Sequence, residues 1–389
     1  MNIIREKGPV SRIEASRFSR LSIATTKRLV DELISMGMVA EGLAGEREGR
    51  GRKAASLRLN SRHGFAVGVN LEPGVLEVAG VCFTGERIYW QKLQPLTNSR
   101  DTLERLITEE ARRAADACTA AGHGPLLGLG AGIAGLVDAR EGVVLYCPSL
   151  PGWEGAQLGG LLRDALGVEA VVDDGVRCMA LAEKRYGAAR DLDTFLLIYI
   201  GTGVGSGIVL DNRIYRGRHG VSGEFGHITV KENGPLCKCG NRGCLEALVS
   251  TNAILARVRE LIAAGVYTTL GSVSDPAASL TLATVGQAAI EGDKLANIVV
   301  AEIEESIGIG VADLINVFDP GTVILAGEVV EELHGLILEG IERIVRRRAM
   351  HAIAQKTAIV KSAFESDSGA LGAATLVIER LLGNEILNL

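Results

Sequence analysis

The stretch "GEFGHITVKENGPLCKCGNRGCLEA", residues 223 to 247, holds three of the chain's seven cysteines and one of its six histidines, with two flanking glutamates, Glu224 and Glu246. His227, Cys237, Cys239 and Cys244 offer one imidazole and three thiolates, and Gly234, Gly240 and Gly243 let the loop fold back around a centre. Four nitrogen and sulfur ligands with no open position describe a closed tetrahedral zinc site, in which the metal contributes folding free energy rather than a reactive water. A redox pair is the other reading, although C-x-C is an unusual redox spacing; free thiols would leave His227 and the glycines unexplained. Glu224 and Glu246 flank a centre already filled by softer ligands. They are better placed to accept hydrogen bonds from hydroxyls, or else they are solvated surface carboxylates.

A second chemical stretch is "YIGTGVGSGIV", residues 199 to 209. A strand, a glycine-rich turn and a strand could cradle a phosphate with backbone amides and the Thr202 hydroxyl. Glycines at a tight hairpin explain the same letters equally well.

These stretches need a scaffold, and the composition suits an α/β one. Hydrophobic residues make up 47% of the 389 positions and aromatics only 4%, with 49 glycines, which points to two or three units with Gly-, Val- and Ala-rich cores. "FAVGVNLEPGVLEVAGVCFTGERIYWQKL" reads as three strands, and "TFLLIYIGTGVGSGIVLDNRIYRGRHG" repeats that order about 130 residues later. Two α/β lobes with a ligand cleft between them follow. The predicted divisions are 1–60, 61–190 and 191–389, with the last helix able to pack back on the first lobe. No charged-then-apolar leader and no long apolar run is present, so a cytoplasmic protein without membrane contact is expected. Cys82, Cys118, Cys147 and Cys178 lie in apolar surroundings and read as core thiols.

Charge is uneven. Residues 1 to 60 carry 12 Lys and Arg against 7 Asp and Glu, a net +5, which leaves −11 on the remainder. Gly8-Pro9 closes a first short helix, Ser11 can cap a second and Ser22 a third, with Leu29, Val30, Leu33 and Ile34 on its apolar face. Residues 38 to 59 then read as a hairpin, completing a winged helix-turn-helix. In a major groove the third helix would present Thr25, Lys27 and Arg28, while Arg50, Arg52 and Lys53 reach phosphates or the minor groove. The bland alternative is a small helical interaction module. Arg20 at the turn and Thr26 on the inward side fit the DNA-binding pattern poorly.

The spacing His-x9-Cys-x-Cys-x4-Cys resembles that of the ROK family of repressors, open reading frames and kinases. The likeness runs through nearly the whole chain, including "GAGIAGLVDAREGVVLYCPSLPGW", "DPGTVILAGE" and "SGALGAA". It implies a two-lobed, actin-like, sugar-kinase-type (RNase H-like) body, usually a dimer or tetramer. It also implies sugar contacts from Glu224, His227 and Glu246, with His227 serving zinc through one nitrogen and a sugar hydroxyl through the other.

Two departures weigh against catalysis. The family's Glu-Asn-Asp aligns on "VVDDGVRCMALAE" with Asp173, Asp174 and Gly175, so glycine stands where a kinase has its general base. Asp174 takes the Asn position and remains a candidate sugar contact. The kinases' Asp-x-Gly-Gly-Thr is replaced by a stretch containing Asn70, Glu72 and Pro73; the proline lacks an amide donor and the glutamate repels phosphate. The expectation is a regulator without catalytic residues, a repressor of carbohydrate genes with structural zinc. It would bind a two-fold symmetric operator as a homodimer or tetramer and respond to a sugar or sugar phosphate. The alternative is an ATP-dependent sugar kinase with an appended head.

Overall fold

The computed structural model describes residues 1–42, 56–97, 99–272, 280–365 and 368–387. Its N-terminal part has helices Asn2–Lys7, Arg12–Ser19 and Ile23–Ser35, with strands Val39–Gly42 and Ser56–Leu59 paired antiparallel and the two-residue strand Val10–Ser11 beside them. Local chemistry sets these boundaries. Ser11 and Glu14 form a reciprocal capping box at the second helix, and Ser22 accepts from the Thr25 amide at the third. Arg20 ends the second helix in the left-handed region at φ 57°, a conformation that glycine adopts at less cost. Thr26 is 5% exposed, and its hydroxyl has no partner among the described residues.

The body consists of two five-stranded sheets of one topology. In the first, strand Phe65–Glu72 pairs antiparallel with Val75–Cys82, which pairs with Arg87–Leu93; on its other side it runs parallel to Leu126–Ile133, then Ala170–Asp174. The second repeats this order with Phe195–Ile200, Val204–Leu210, Arg213–Ile214, Thr322–Ala326 and Ala358–Lys361. Two meandering strands and two parallel crossovers on each side account for the repeat visible in the sequence.

Each lobe has its own apolar core, and a third cluster joins them. In that cluster Met179 and Leu181 of helix Gly175–Tyr186 and Ala373 and Leu376 of helix Ser368–Leu381 lie with Phe195, Leu197 and Ile324 of the second sheet. The final helix packs closely on the first sheet. A Cβ at Gly130 would stand 1.8 Å from the Ala373 carbonyl oxygen, so only glycine admits this approach. A fourth cluster seats Ile4, Val10 and Leu57 of the N-terminal part against Phe83, Ala182, Leu371 and Ile378 of the body. Cys82, Cys118, Cys147 and Cys178 are all buried free thiols. No helix among the described residues is long and apolar enough to cross a membrane.

Candidate ligand cleft and metal loop

The loop after strand Arg213–Ile214 carries Glu224 and His227, and helix Glu246–Val249 begins two residues after the last cysteine. The ligating atoms of His227, Cys237, Cys239 and Cys244 lie within 4.8 Å of one another. Cys239 Sγ and Cys244 Sγ are 3.7 Å apart, and Cys237 Sγ is 3.6 Å from His227 Nδ1. Tetrahedral zinc with bonds of about 2.3 Å to sulfur and 2.0 Å to nitrogen requires separations of roughly 3.8 and 3.5 Å. The donor set and its spacing therefore fit zinc, with Nδ1 as the histidine ligand. The other ring nitrogen, Nε2, faces Glu224 Oε2 at 3.7 Å.

Asp174, Glu224, His227 and Glu246 line one cavity of about 140 Å³ between the lobes, together with Ser149, Gly175 and Lys238. The cleft thus gathers all four side chains that the sequence singles out for sugar. Their present bonds differ. Asp174 caps helix Gly175–Tyr186, accepting from the Val176 amide at 3.0 Å and the Arg177 amide at 3.1 Å. Burial nevertheless pushes its carboxyl up to about 7, with Arg177 opposing the shift. Burial also raises Glu224. Glu246 Oε2 accepts from the Val204 amide at 3.1 Å.

That last bond bears on the glycine-rich turn. The Val204 amide is taken by Glu246, and the Gly201 amide donates to Gly203 O within the turn at 2.9 Å. Tyr199 covers Gly201 so closely that a Cβ there would lie 2.5 Å from the phenol oxygen. The phenol donates to Glu72 Oε2 at 2.5 Å, and Asn70 Nδ2 donates to Glu72 Oε1 at 3.1 Å. A carboxylate from one lobe and a phenol from the other therefore stand against the turn that could have held phosphate. Tyr199 carried no signal in the sequence beyond its place in an alternating strand, since its partner lies 127 residues away.

Gly175 has a structural use besides the missing carboxylate. Asn70 is fully buried among Gly132, Gly175 and Gly369, and a Cβ on any of them would approach its amide to 2.6, 2.9 or 2.3 Å. Across the cleft, Arg177 donates to the Gly220 and Ser222 carbonyls at 2.7 and 2.9 Å and tethers that loop to the first lobe. Buried Asp173 takes Arg216 at 2.7 Å and Arg177 at 3.3 Å. Neither arginine stood out in the sequence.

In the N-terminal part Lys27 and Arg28 are exposed on the third helix. Thr25 is half-buried, and its hydroxyl lies 2.8 Å from that of Ser22, so it serves the helix cap. Arg50, Arg52 and Lys53 fall outside the described residues.

Paired actin-like lobes, a cleft lined by carboxylates and an imidazole, and a Cys3His loop define a protein of the sugar-kinase-like class. Within that class the chain belongs to the ROK family, whose model matches residues 69–380. The chain is 32% identical to a putative xylose repressor of Caldicellulosiruptor sp. strain Rt8B.4, covering 98% of this chain and 95% of that one. It superposes with a TM-score of 0.86 on a crystal structure of a ROK family transcriptional regulator, a homologue of the E. coli MLC protein, at 30% identity over 99% of this chain and 95% of that one. A ROK family glucokinase from Streptomyces griseus, solved with glucose and AMPPNP, matches at 27% identity and TM-score 0.68, over 80% of this chain and 99% of that one.

Proposed function

We propose that the protein is a sugar-responsive transcriptional repressor of carbohydrate genes, with residues 1–60 as a winged helix-turn-helix DNA-binding head. The single observation that carries this reading is the cleft. Asp174, Glu224, His227 and Glu246 converge there on a sugar-sized space, while the base position is Gly175 and the phosphate turn is covered by Tyr199 and Glu72. Recognition without a general base binds a sugar and leaves it unphosphorylated. The likeness to the repressor-type relatives extends through the head, whereas that to the glucokinase covers 80% of the chain.

Zinc, held by His227, Cys237, Cys239 and Cys244, acts as a structural staple that fixes His227 Nε2 and Glu246 toward the sugar. The heads act in pairs on a two-fold symmetric operator, through Lys27 and Arg28 and, beyond the described residues, Arg50, Arg52 and Lys53. A sugar or sugar phosphate that prefers one relation of the lobes shifts the protein away from its DNA-binding state.

The test is a DNA-binding assay on the region upstream of the neighbouring transport genes, run with a panel of sugars and sugar phosphates. A specific shift relieved by one sugar is expected. No specific binding at any physiological salt, or robust ATP-dependent sugar phosphorylation abolished by Asp174→Ala, would overturn the reading.

A further inference from the structure

Helix Gly175–Tyr186 starts in the cleft, where Asp174, Gly175, Val176 and Met179 form part of the wall. Its other end carries Arg185. At 1.5 Å per residue the helix spans about 18 Å, from the ligand cavity to the side of the first lobe where the head sits. Helix Ser368–Leu381 packs beside it, with Gly369 against Asn70 at the cleft end and Glu379 near the far end.

Glu379 is 1% exposed. Its Oε1 accepts from Arg5 Nη1 of the first head helix at 2.6 Å. Its Oε2 accepts from Arg185 Nη2 at 2.8 Å and from Asn384 Nδ2 at 2.6 Å. One buried carboxylate is thus shared by the head and by the helix whose first turn lines the cleft. The apolar contact around it has the same membership: Ile4 and Leu57 of the head meet Ala182 of the cleft helix and Leu371, Ala374 and Ile378 of the final helix.

The seam is held but incompletely satisfied. Arg5 Nη2 is buried there with no partner among the described residues, so separation returns a polar atom to water. Lys27 and Arg28 stay exposed while the head is docked, which leaves the recognition face open.

We propose that Glu379 is a positioning residue for the head. Through Arg5 it fixes the angle at which the head leaves the body, and through Arg185 it makes that angle depend on the helix that begins in the cleft. A ligand that displaces Asp174 and the first helical turn moves Arg185 and redistributes the ion pairs at Glu379. This rests on the regulator reading above and adds to it the path by which occupancy reaches DNA.

Two readouts on the full-length protein test it. The first needs no DNA: hydrogen exchange of the amides of residues 2–7 should speed up in Glu379→Ala and in Arg5→Ala. Arg5→Ala leaves the Glu379–Arg185 pair in place and keeps the test available if Glu379→Ala misfolds. Wild-type protection in the Arg5 variant would refute the docking role. The second compares operator affinity with and without the effector sugar. Arg185→Ala, whose bonds go to Glu379 rather than to the head, should keep sugar-free affinity close to wild type while shrinking the sugar effect by about fivefold or more. Arg185→Lys should restore part of it. A role in stability alone would leave the sugar effect intact, and an unchanged sugar effect in Arg185→Ala overturns the proposal. If the wild-type protein binds no operator, the regulator reading fails, whereas the exchange experiment still decides whether Glu379 docks the head.

Discussion

His227 divides its two ring nitrogens between two tasks: Nδ1 sits 3.6 Å from the Cys237 sulfur and Nε2 faces Glu224. Metal ligation through Nδ1 would give the outer nitrogen a fixed direction and a fixed tautomer, so the proposed zinc would aim a donor that it does not itself contact. Cys239 is the exposed member of the ligand set, which makes it the cleanest to remove. Cys239→Ser is expected to lose bound zinc by elemental analysis and to cost a few kcal/mol in urea unfolding. Sugar affinity should fall with it, because His227 and Glu246 lose their anchor. A metal-free variant of wild-type stability would remove the structural role. The metal loop was legible from spacing alone because all four ligands fall within 18 consecutive residues. Asn70, fully buried in its glycine cage, was not: Gly132, Gly175 and Gly369 come from three distant segments, and nothing local marks them as neighbours.

Among the elements, the two repeated sheets were readable because strand period and glycine turns are local properties. Helix caps were readable for the same reason, and Ser11 and Ser22 occupy the cap positions; the cap made by Asp174, read from the sequence only as a sugar contact, was not. What escaped is cross-lobe: the Tyr199–Glu72 bond and the Arg177 tether depend on how two separate lobes meet. The first strand pair also holds a testable charge. Glu77, opposite Asn70, is 4% exposed, and burial, with Glu72 adding repulsion, pushes it up to about 8 from an ordinary 4.5. A folded-state value above the unfolded one means that the folded protein holds the proton more tightly. That contribution is complete below about pH 4.5 and is lost as pH rises toward 8. Glu77→Gln mimics the protonated form. Its unfolding free energy should match wild type near pH 5 and exceed it at pH 9 by something on the order of a few kcal/mol. Parallel pH profiles for the two proteins would contradict the assignment.

For the whole molecule, the +5 head and −11 body divide the labour of approaching a polyanion. In the proposed repressor the body would repel DNA and the head would attract it, so the head would meet the duplex first. Operator affinity should fall steeply with salt, and Lys27→Ala should weaken binding evenly across sequences while reducing the logarithmic salt slope by about 1. An unchanged slope would remove Lys27 from the phosphate contacts. The charge division was plain in the sequence. The seating of the head on the body was not, because Arg5 and Glu379 are separated by 374 positions.

The glycine cage around Asn70 also has a historical consequence. An aspartate introduced at 175 has no place for its Cβ unless Asn70 moves first, and Asn70 is pressed by two more glycines. On the regulator reading proposed above, this packing would act as a ratchet: a carboxylate at 175 would require Asn70 to move, and Asn70 is held in turn by Gly132 and Gly369.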